Sequence, residues 1–333
     1  MSNSVSKNLH PSLKVIDSTK IKSFQTCPRK FFFEHVLGWS PDQPSHDLWY
    51  GQAVHYALEH MYGKWKERGK PGYTERDAVE GFQKFLDHYR QKFAPDTDAG
   101  MGAKSPENTM RMLLEYIDTY QRDSFEVVYT EISGSVVIGE SVDGNIKRIF
   151  FRLDTVCLGE YGYFILEHKT SKWNQHLWRA SWTFATQVGT GNHLLWSLFG
   201  DEKEGVDCLR LNGIFLQAPL KTKDRNAAEF LRVPRKMSGA KMQDWLVHVN
   251  YDWDSIHQQI AALDKCGEGD EIMHAFPRNP DGCVQYNRVC PFMDYCEAYL
   301  NPLKNTAPPI GFQTKHWDPR DLDSSYTKKV EIK

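Results

Sequence analysis

Apolar residues recur at helical spacing through the first third of the chain and give way to alternating or continuous apolar runs after it. From Ser18, the stretch STKIKSFQTCPRKFFFEHVLGW opens on cap-forming hydroxyls and sets Ile21, Phe24, Phe31, Phe32, His35 and Val36 at helical spacing. Pro28 bends or restarts that helix. Val54, Ala57, Leu58, Met61 and Trp65 form a second stripe and predict a helix over 47–67, with His55 at its edge. Helices are also predicted over 75–93 and 107–122, on either side of the polar loop 95–106. Strand patterns follow at 126–130, 134–139 and 146–158, and Val142-Asp143-Gly144-Asn145 supplies a hairpin turn. A helix over 178–198, a strand over 209–217, a basic segment over 219–236 and a long helix over 239–264 complete the pattern. A loop-rich cysteine segment and a Pro-, Asp- and Lys-rich tail from Pro302 end it.

This order predicts an α/β protein with a central mixed β-sheet flanked by helices, a helical region before the sheet and a cysteine segment after it. Residues 1–17 are expected to be a flexible N-terminus, and 18–300 to form one domain. Within that domain 18–125 is the helical part, 126–217 the sheet core, and 218–300 the basic segment, long helix and cysteines. Residues 301–333 are expected to be an extended tail laid on the surface.

The stretch 147–169, KRIFFRLDTVCLGEYGYFILEHK, concentrates the candidate chemistry. β-branched and aromatic residues fill 149–158 and 163–166, and Gly159-Glu160-Tyr161-Gly162 makes the turn between them. If Leu158 sits opposite Tyr163, the constant sum of paired residue numbers in an antiparallel ladder puts Asp154 opposite Glu167. Lys169, two residues on, points to the same face. Two carboxylates on one face repel each other and resist desolvation unless a cation lies between them, so a divalent-metal site is expected. Mg²⁺ takes a few carboxylates and keeps several waters, which suits phosphodiester cleavage. Taken alone, a Glu-x-Lys on a strand is a common surface salt bridge, and His55 alone is a partly buried histidine at a core edge.

Composition narrows this reading only slightly. With 41 basic and 43 acidic residues the net charge is -2, so bulk charge does not announce a nucleic-acid binder, although a local basic groove would suffice. No apolar run approaches a membrane span and MSNSVSKNLHPSLK carries no signal-like apolar segment, so a soluble, cytoplasmic protein is expected. Seven cysteines in such a chain point to metal binding or burial rather than disulfides. Cys157, Cys208 and Cys266 read as small buried hydrophobes. Cys283, Cys290 and Cys296 form a compact trio, and Cys27 lies far upstream. Four thiolates suit an iron–sulfur cluster or a structural zinc equally well.

Asp154 followed by Glu167-His168-Lys169-Thr170 resembles the PD-(D/E)xK nuclease superfamily, and more narrowly its RecB-like branch of CRISPR-associated and phage-borne exonucleases. Gly51-Gln52-Ala53-Val54-His55 is similar to the branch's G-x-x-x-H metal-ligand motif. Gln187 matches the first position of its Q-x-x-x-Y motif, but Gly191 stands where the tyrosine would be. The resemblance covers about residues 18 to 300. It implies a divalent-metal-dependent deoxyribonuclease, an exonuclease on DNA ends or single strands; the alternative is a non-hydrolytic DNA-binding module on a degenerate nuclease fold. It implies that His55, Asp154, Glu167 and the backbone carbonyl of His168 hold Mg²⁺ or Mn²⁺. Lys169 then positions the attacking water and Gln187 orients that lysine or a phosphate. It further implies a [4Fe–4S] cluster on Cys27, Cys283, Cys290 and Cys296, with structural Zn²⁺ as the alternative. DNA is the implied partner, in recombination, repair, CRISPR or phage replication together with proteins of those systems. Arg29, Lys30, Lys221, Lys223 and Arg225 are candidates for lining a DNA path.

Overall fold

A computed structural model describes residues 9–43, 45–141, 143–172, 174–218, 225–285, 288–322, 324 and 327–332. Val142 of the hairpin turn and the candidate lysines 221 and 223 lie outside the described residues. Helix α1 (Ser18–Thr26) is capped by Asp17, whose carboxylate accepts the Lys20 amide at 2.9 Å, one residue earlier than the hydroxyls of the sequence pattern. The segment before it is not loose where it is described. Leu13 and Ile16 are buried, and the Lys20 ammonium donates to the Ser12 and Val15 carbonyls at 2.7 and 2.6 Å. A buried lysine closing on two carbonyls is not visible in the polar composition that suggested flexibility. Cys27 then breaks the helix with an extended backbone, and Pro28 starts α2 (Pro28–Phe31), which runs into a π turn over Phe32–Val36. A short strand, β1 (Trp39–Pro41), follows.

Three helices form a layer of their own: α3 (His46–Arg68), α4 (Glu75–Tyr89) and α5 (Pro106–Thr119). Thr74 and Asp77 close a reciprocal capping box at the start of α4. Gly69, in the left-handed region, ends α3 where a side chain would be strained.

The strands are β2 (Glu126–Tyr129), β3 (Ile132–Glu140), β4 (Ile146–Leu153), β5 (Thr155–Gly159) and β6 (Gly162–Ser171). Two helices, α6 (Gln175–Ser181) and α7 (Thr186–Phe199), lead to β7 (Val206–Leu216) and β8 (Ala228–Arg235). The central sheet has the order β2-β5-β6-β7-β8 and is mixed: β6 and β7 are parallel, joined across α6 and α7, and the other neighbours are antiparallel. Its two faces bury different cores. Phe164 and Leu166 of β6 face the layer of α3, α4 and α5, whereas Ile165 faces the cluster that contains α1 and α7.

The stretch expected as one strand over 146–158 is divided at Asp154. β4 pairs with β3 in a separate sheet, and β5 joins the central sheet. Periodicity could not reveal this, because the apolar pattern runs on while the hydrogen-bonding partners change. The basic segment likewise holds a strand, β8, rather than only a loop.

After α8 (Gly239–Ala262) the chain forms β9 (Val284–Gln285), β10 (Arg288–Val289) and α9 (Met293–Ala298) around the cysteines. The tail from Pro302 holds two 3-10 turns, Pro302–Lys304 and Pro319–Leu322, and two short strands, and it does more than lie on the surface. Its β11 (Phe312–Thr314) pairs with β1, and β12 (Lys328–Ile332) adds in parallel to β3. Leu303 is buried at its start. Among the described residues no helix is long and apolar enough to cross a membrane.

Candidate active site

The register between β5 and β6 pairs Leu158 with Tyr163 and Thr155 with Leu166, so the numbers sum as the sequence required. Asp154 is one step past the last pair, at the point where the chain changes sheets, and its carboxylate is therefore free of the ladder. One oxygen accepts the backbone amide of His168 at 2.7 Å and the other meets His55 Nδ1 of α3 at 2.9 Å. Glu167 points to the α7 side, where Lys169 Nζ and Gln187 Nε2 both donate to its Oε1, at 2.7 and 2.6 Å. Its other oxygen, Oε2, is buried with no hydrogen-bond partner among the described residues. The structure thus brings His55, Asp154, Glu167, His168, Lys169 and Gln187 together from α3, the sheet switch, β6 and α7.

The electrostatics follow from crowding these groups out of water. Burial, and then the Asp154 charge, push the Glu167 carboxyl up, and Lys169 only partly opposes them. Burial alone would raise Asp154 as well, but His55 and its hydrogen bond outweigh that and hold it well below the usual carboxylate range. His55 and Lys169 are raised in return: burial opposes their charge, and the adjacent carboxylates overcome it. One carboxylate is thus held ionised beside a second that resists ionisation.

Sequence reasoning missed several supports. The His168 ring, on the opposite face of β6 from Glu167, is buried, and burial pushes it down to about 3. Its Nδ1 lies 2.8 Å from Asn212 Nδ2 of β7, and Asn212 also donates to the Tyr116 hydroxyl at 2.8 Å. An asparagine inside the apolar run LRLNGIFL was the available signal, since a buried amide needs partners. Trp182, in the corner between α6 and α7, lies with its ring centroid 5.3 Å from Lys169 Nζ.

The four candidate cluster cysteines gather from both ends of the chain. The Asn279 amide donates to Cys27 Sγ at 3.3 Å, and the Cys290 amide to the Cys283 carbonyl at 2.7 Å. Gly282 abuts α1 so closely that a Cβ there would fall 2.6 Å from the Thr26 carbonyl oxygen and 3.2 Å from Cys27 Cβ. Burial pushes the Cys290 and Cys296 thiols up, and both feel Cys27. Cys157 and Cys208 are buried, as expected, and Cys266 is half-buried. Among the described residues no group of three or more His, Cys, Asp or Glu side chains is already drawn into a metal-binding arrangement.

The candidate DNA contacts divide. Arg29 is buried and donates to the carbonyls of Phe276, Leu300 and Met273, so it holds the two ends of the chain together instead of facing DNA. Lys30 is half-buried, 3.6 Å from Glu34. Arg225 is exposed; its guanidinium donates to Gln217 and its carbonyl accepts Arg111 at 2.6 Å.

Residues 18–297 match the family model of the PD-(D/E)XK nuclease superfamily. The chain belongs to that superfamily, a class of metal-dependent nucleases whose substrate is DNA, and the mixed sheet flanked by helices is consistent with its restriction-endonuclease-like fold. None of the curated proteins matches the chain. A solved structure described as "Crystal structure of SSO0001" aligns over 59% of this chain and 74% of that one, at 16% identity and a TM-score of 0.23, which is too distant to bear on the assignment.

Proposed function

We propose that the chain is a deoxyribonuclease of RecB-like type, acting as an exonuclease on DNA ends or single strands with Mg²⁺ or Mn²⁺. The observation that carries this reading is the orphaned Glu167 Oε2 beside an ionised Asp154, with Lys169 on the same carboxylate. A buried acceptor without a donor, flanked by a second carboxylate and an imidazole, fits a hard cation. His55, Asp154, Glu167 and the His168 carbonyl would hold it. A cation bound there would supply Lewis-acid polarisation of the phosphate and a more acidic water. The Lys169 ammonium, which donates to Glu167, would stand next to such a cation and could orient the attacking water and offset charge developing on the phosphate. Gln187 keeps Glu167 oriented and can pass its amide to a phosphate oxygen. Purified protein is expected to degrade labelled linear DNA with Mn²⁺ and to lose that activity on addition of EDTA. Undiminished DNA on every linear substrate would leave the non-hydrolytic module as the better reading.

The cysteines support a separate reading, a [4Fe–4S] cluster that staples the N-terminal helix to the C-terminal segment. Four thiols from Cys27, Cys283, Cys290 and Cys296 fit it, the glycine at 282 leaves the backbone room to close on Cys27, and the nearby Arg29 guanidinium offsets thiolate charge. Anaerobically purified protein is expected to be brown, with visible absorbance that disappears in Cys283→Ser. Colourless protein carrying one zinc would assign the same thiols to Zn²⁺.

A further inference from the structure

The corner between α6 and α7 carries an aromatic side chain that the described residues leave uncovered. Phe184 is 92% exposed. The other rings of this corner are turned inward: Trp178 packs edge-on against Phe215 with centroids 5.0 Å apart, and Trp182 lies against Lys169. Phe184 therefore forgoes the burial that its neighbours obtain, at a position fixed from both sides. It follows Trp182 by two residues and precedes Gln187 by three. Two extended residues span at most about 7 Å, so the backbone of Phe184 lies within that distance of Trp182, whose ring centroid is 5.3 Å from Lys169 Nζ. Two arginines meet at the adjoining helix α6. Arg235, at the end of β8, donates to the carbonyl of Arg179 on α6, so two guanidinium-bearing residues adjoin at this corner.

We infer that Phe184 is a base-stacking residue, holding the face of an unpaired base beside the scissile phosphate and so favouring single-stranded DNA or a frayed end. Bases inside a duplex have both faces covered by their neighbours, and only an unpaired or terminal base can offer a π-face to the ring. Stacking of this kind tolerates any base, and it occurs together with cationic groups that track the backbone. The inference rests on the nuclease reading for the identity of the substrate.

The test reads binding of the full chain to a fluorescent single-stranded oligonucleotide in EDTA, so that cleavage plays no part. Phe184→Ala is expected to weaken binding about 5- to 100-fold, Phe184→Trp to preserve it, and binding to the matching blunt duplex to change less than about 2-fold. A single abasic nucleotide, moved along the strand, is expected to weaken wild-type binding at one position and to have no effect there in Phe184→Ala. Single-strand affinity unchanged in Phe184→Ala, or an abasic penalty that survives in it, overturns the inference. So does a change in self-association by sedimentation with DNA binding intact, which would assign the ring to a protein interface. A protein that binds in this way but never cleaves would refute the nuclease reading alone, and one that cleaves while indifferent to Phe184→Ala would refute the stacking alone.

Discussion

Lys169→Ala is expected to lower DNA cleavage by about 10²- to 10⁴-fold while leaving DNA affinity in EDTA within a few-fold of wild type. Lys169 Nζ sits 2.7 Å from Glu167 Oε1 without a cation, so the variant should also show what the ammonium does for the resting protein. Its removal leaves two buried carboxylates whose described partners are His55, the His168 amide and Gln187. Breaking a buried pair from one side costs roughly 3–5 kcal/mol, and the metal-free variant should melt earlier for that reason. Mn²⁺ should then stabilise Lys169→Ala more than wild type, because the cation replaces the missing charge. Three readouts check this: cleavage of end-labelled DNA, anisotropy in EDTA, and thermal melts with and without Mn²⁺. Wild-type cleavage surviving in Lys169→Ala would sink the proposed role.

Gly191→Tyr, which supplies the tyrosine of the Q-x-x-x-Y motif, is expected to unfold the protein rather than improve it. α7 lies so close to the sheet that a Cβ on residue 191 would fall 2.4 Å from Leu209 Cδ1 and 3.6 Å from Ile165 Cδ1, both on fully buried side chains. Even Gly191→Ala should cost about 1–3 kcal/mol through overpacking, less whatever alanine restores as a better helix former. A tyrosine adds a ring to a Cβ that already overlaps the buried Leu209 side chain. Urea titration of the alanine variant and the soluble yield of the tyrosine variant measure the effect. The glycine therefore has a packing explanation. Its presence is not a sign of a decaying nuclease, and that removes the main sequence argument for a non-hydrolytic module.

The hairpin register was legible because it depends only on turn length and period-two alternation, both of which are local. Gly159 and Gly162 set the turn, and the pairing of Leu158 with Tyr163 follows from it. His55 and Gln187 were legible only through resemblance, since nothing in a stripe such as Val54, Ala57 and Leu58 says which histidine will meet Asp154. The division of the strand at Asp154 was not legible, because hydrogen-bond partners leave no trace in an apolar pattern. Arg29 was misassigned for a related reason. Its charge suggested solvent or DNA, whereas its partners are carbonyls more than 240 positions away. The same holds for the segment around Leu13 and for β12, whose burial is decided by distant parts of the chain.

The pairing of β12 with β3 has a kinetic consequence. Glu131, beside the strand that leads toward the sheet switch, contacts Thr327 across 196 positions, and Lys328 donates its amide to the Glu131 carbonyl at 2.9 Å. Closing so long a loop adds little equilibrium cost per residue, but contacts of this range make folding slow. While the chain is being synthesised, β4 has β3 beside it, yet the outer edge of β3 stays open until the far segment arrives. The sheet that carries β4 into Asp154 is thus completed only after the acids and the lysine have been made.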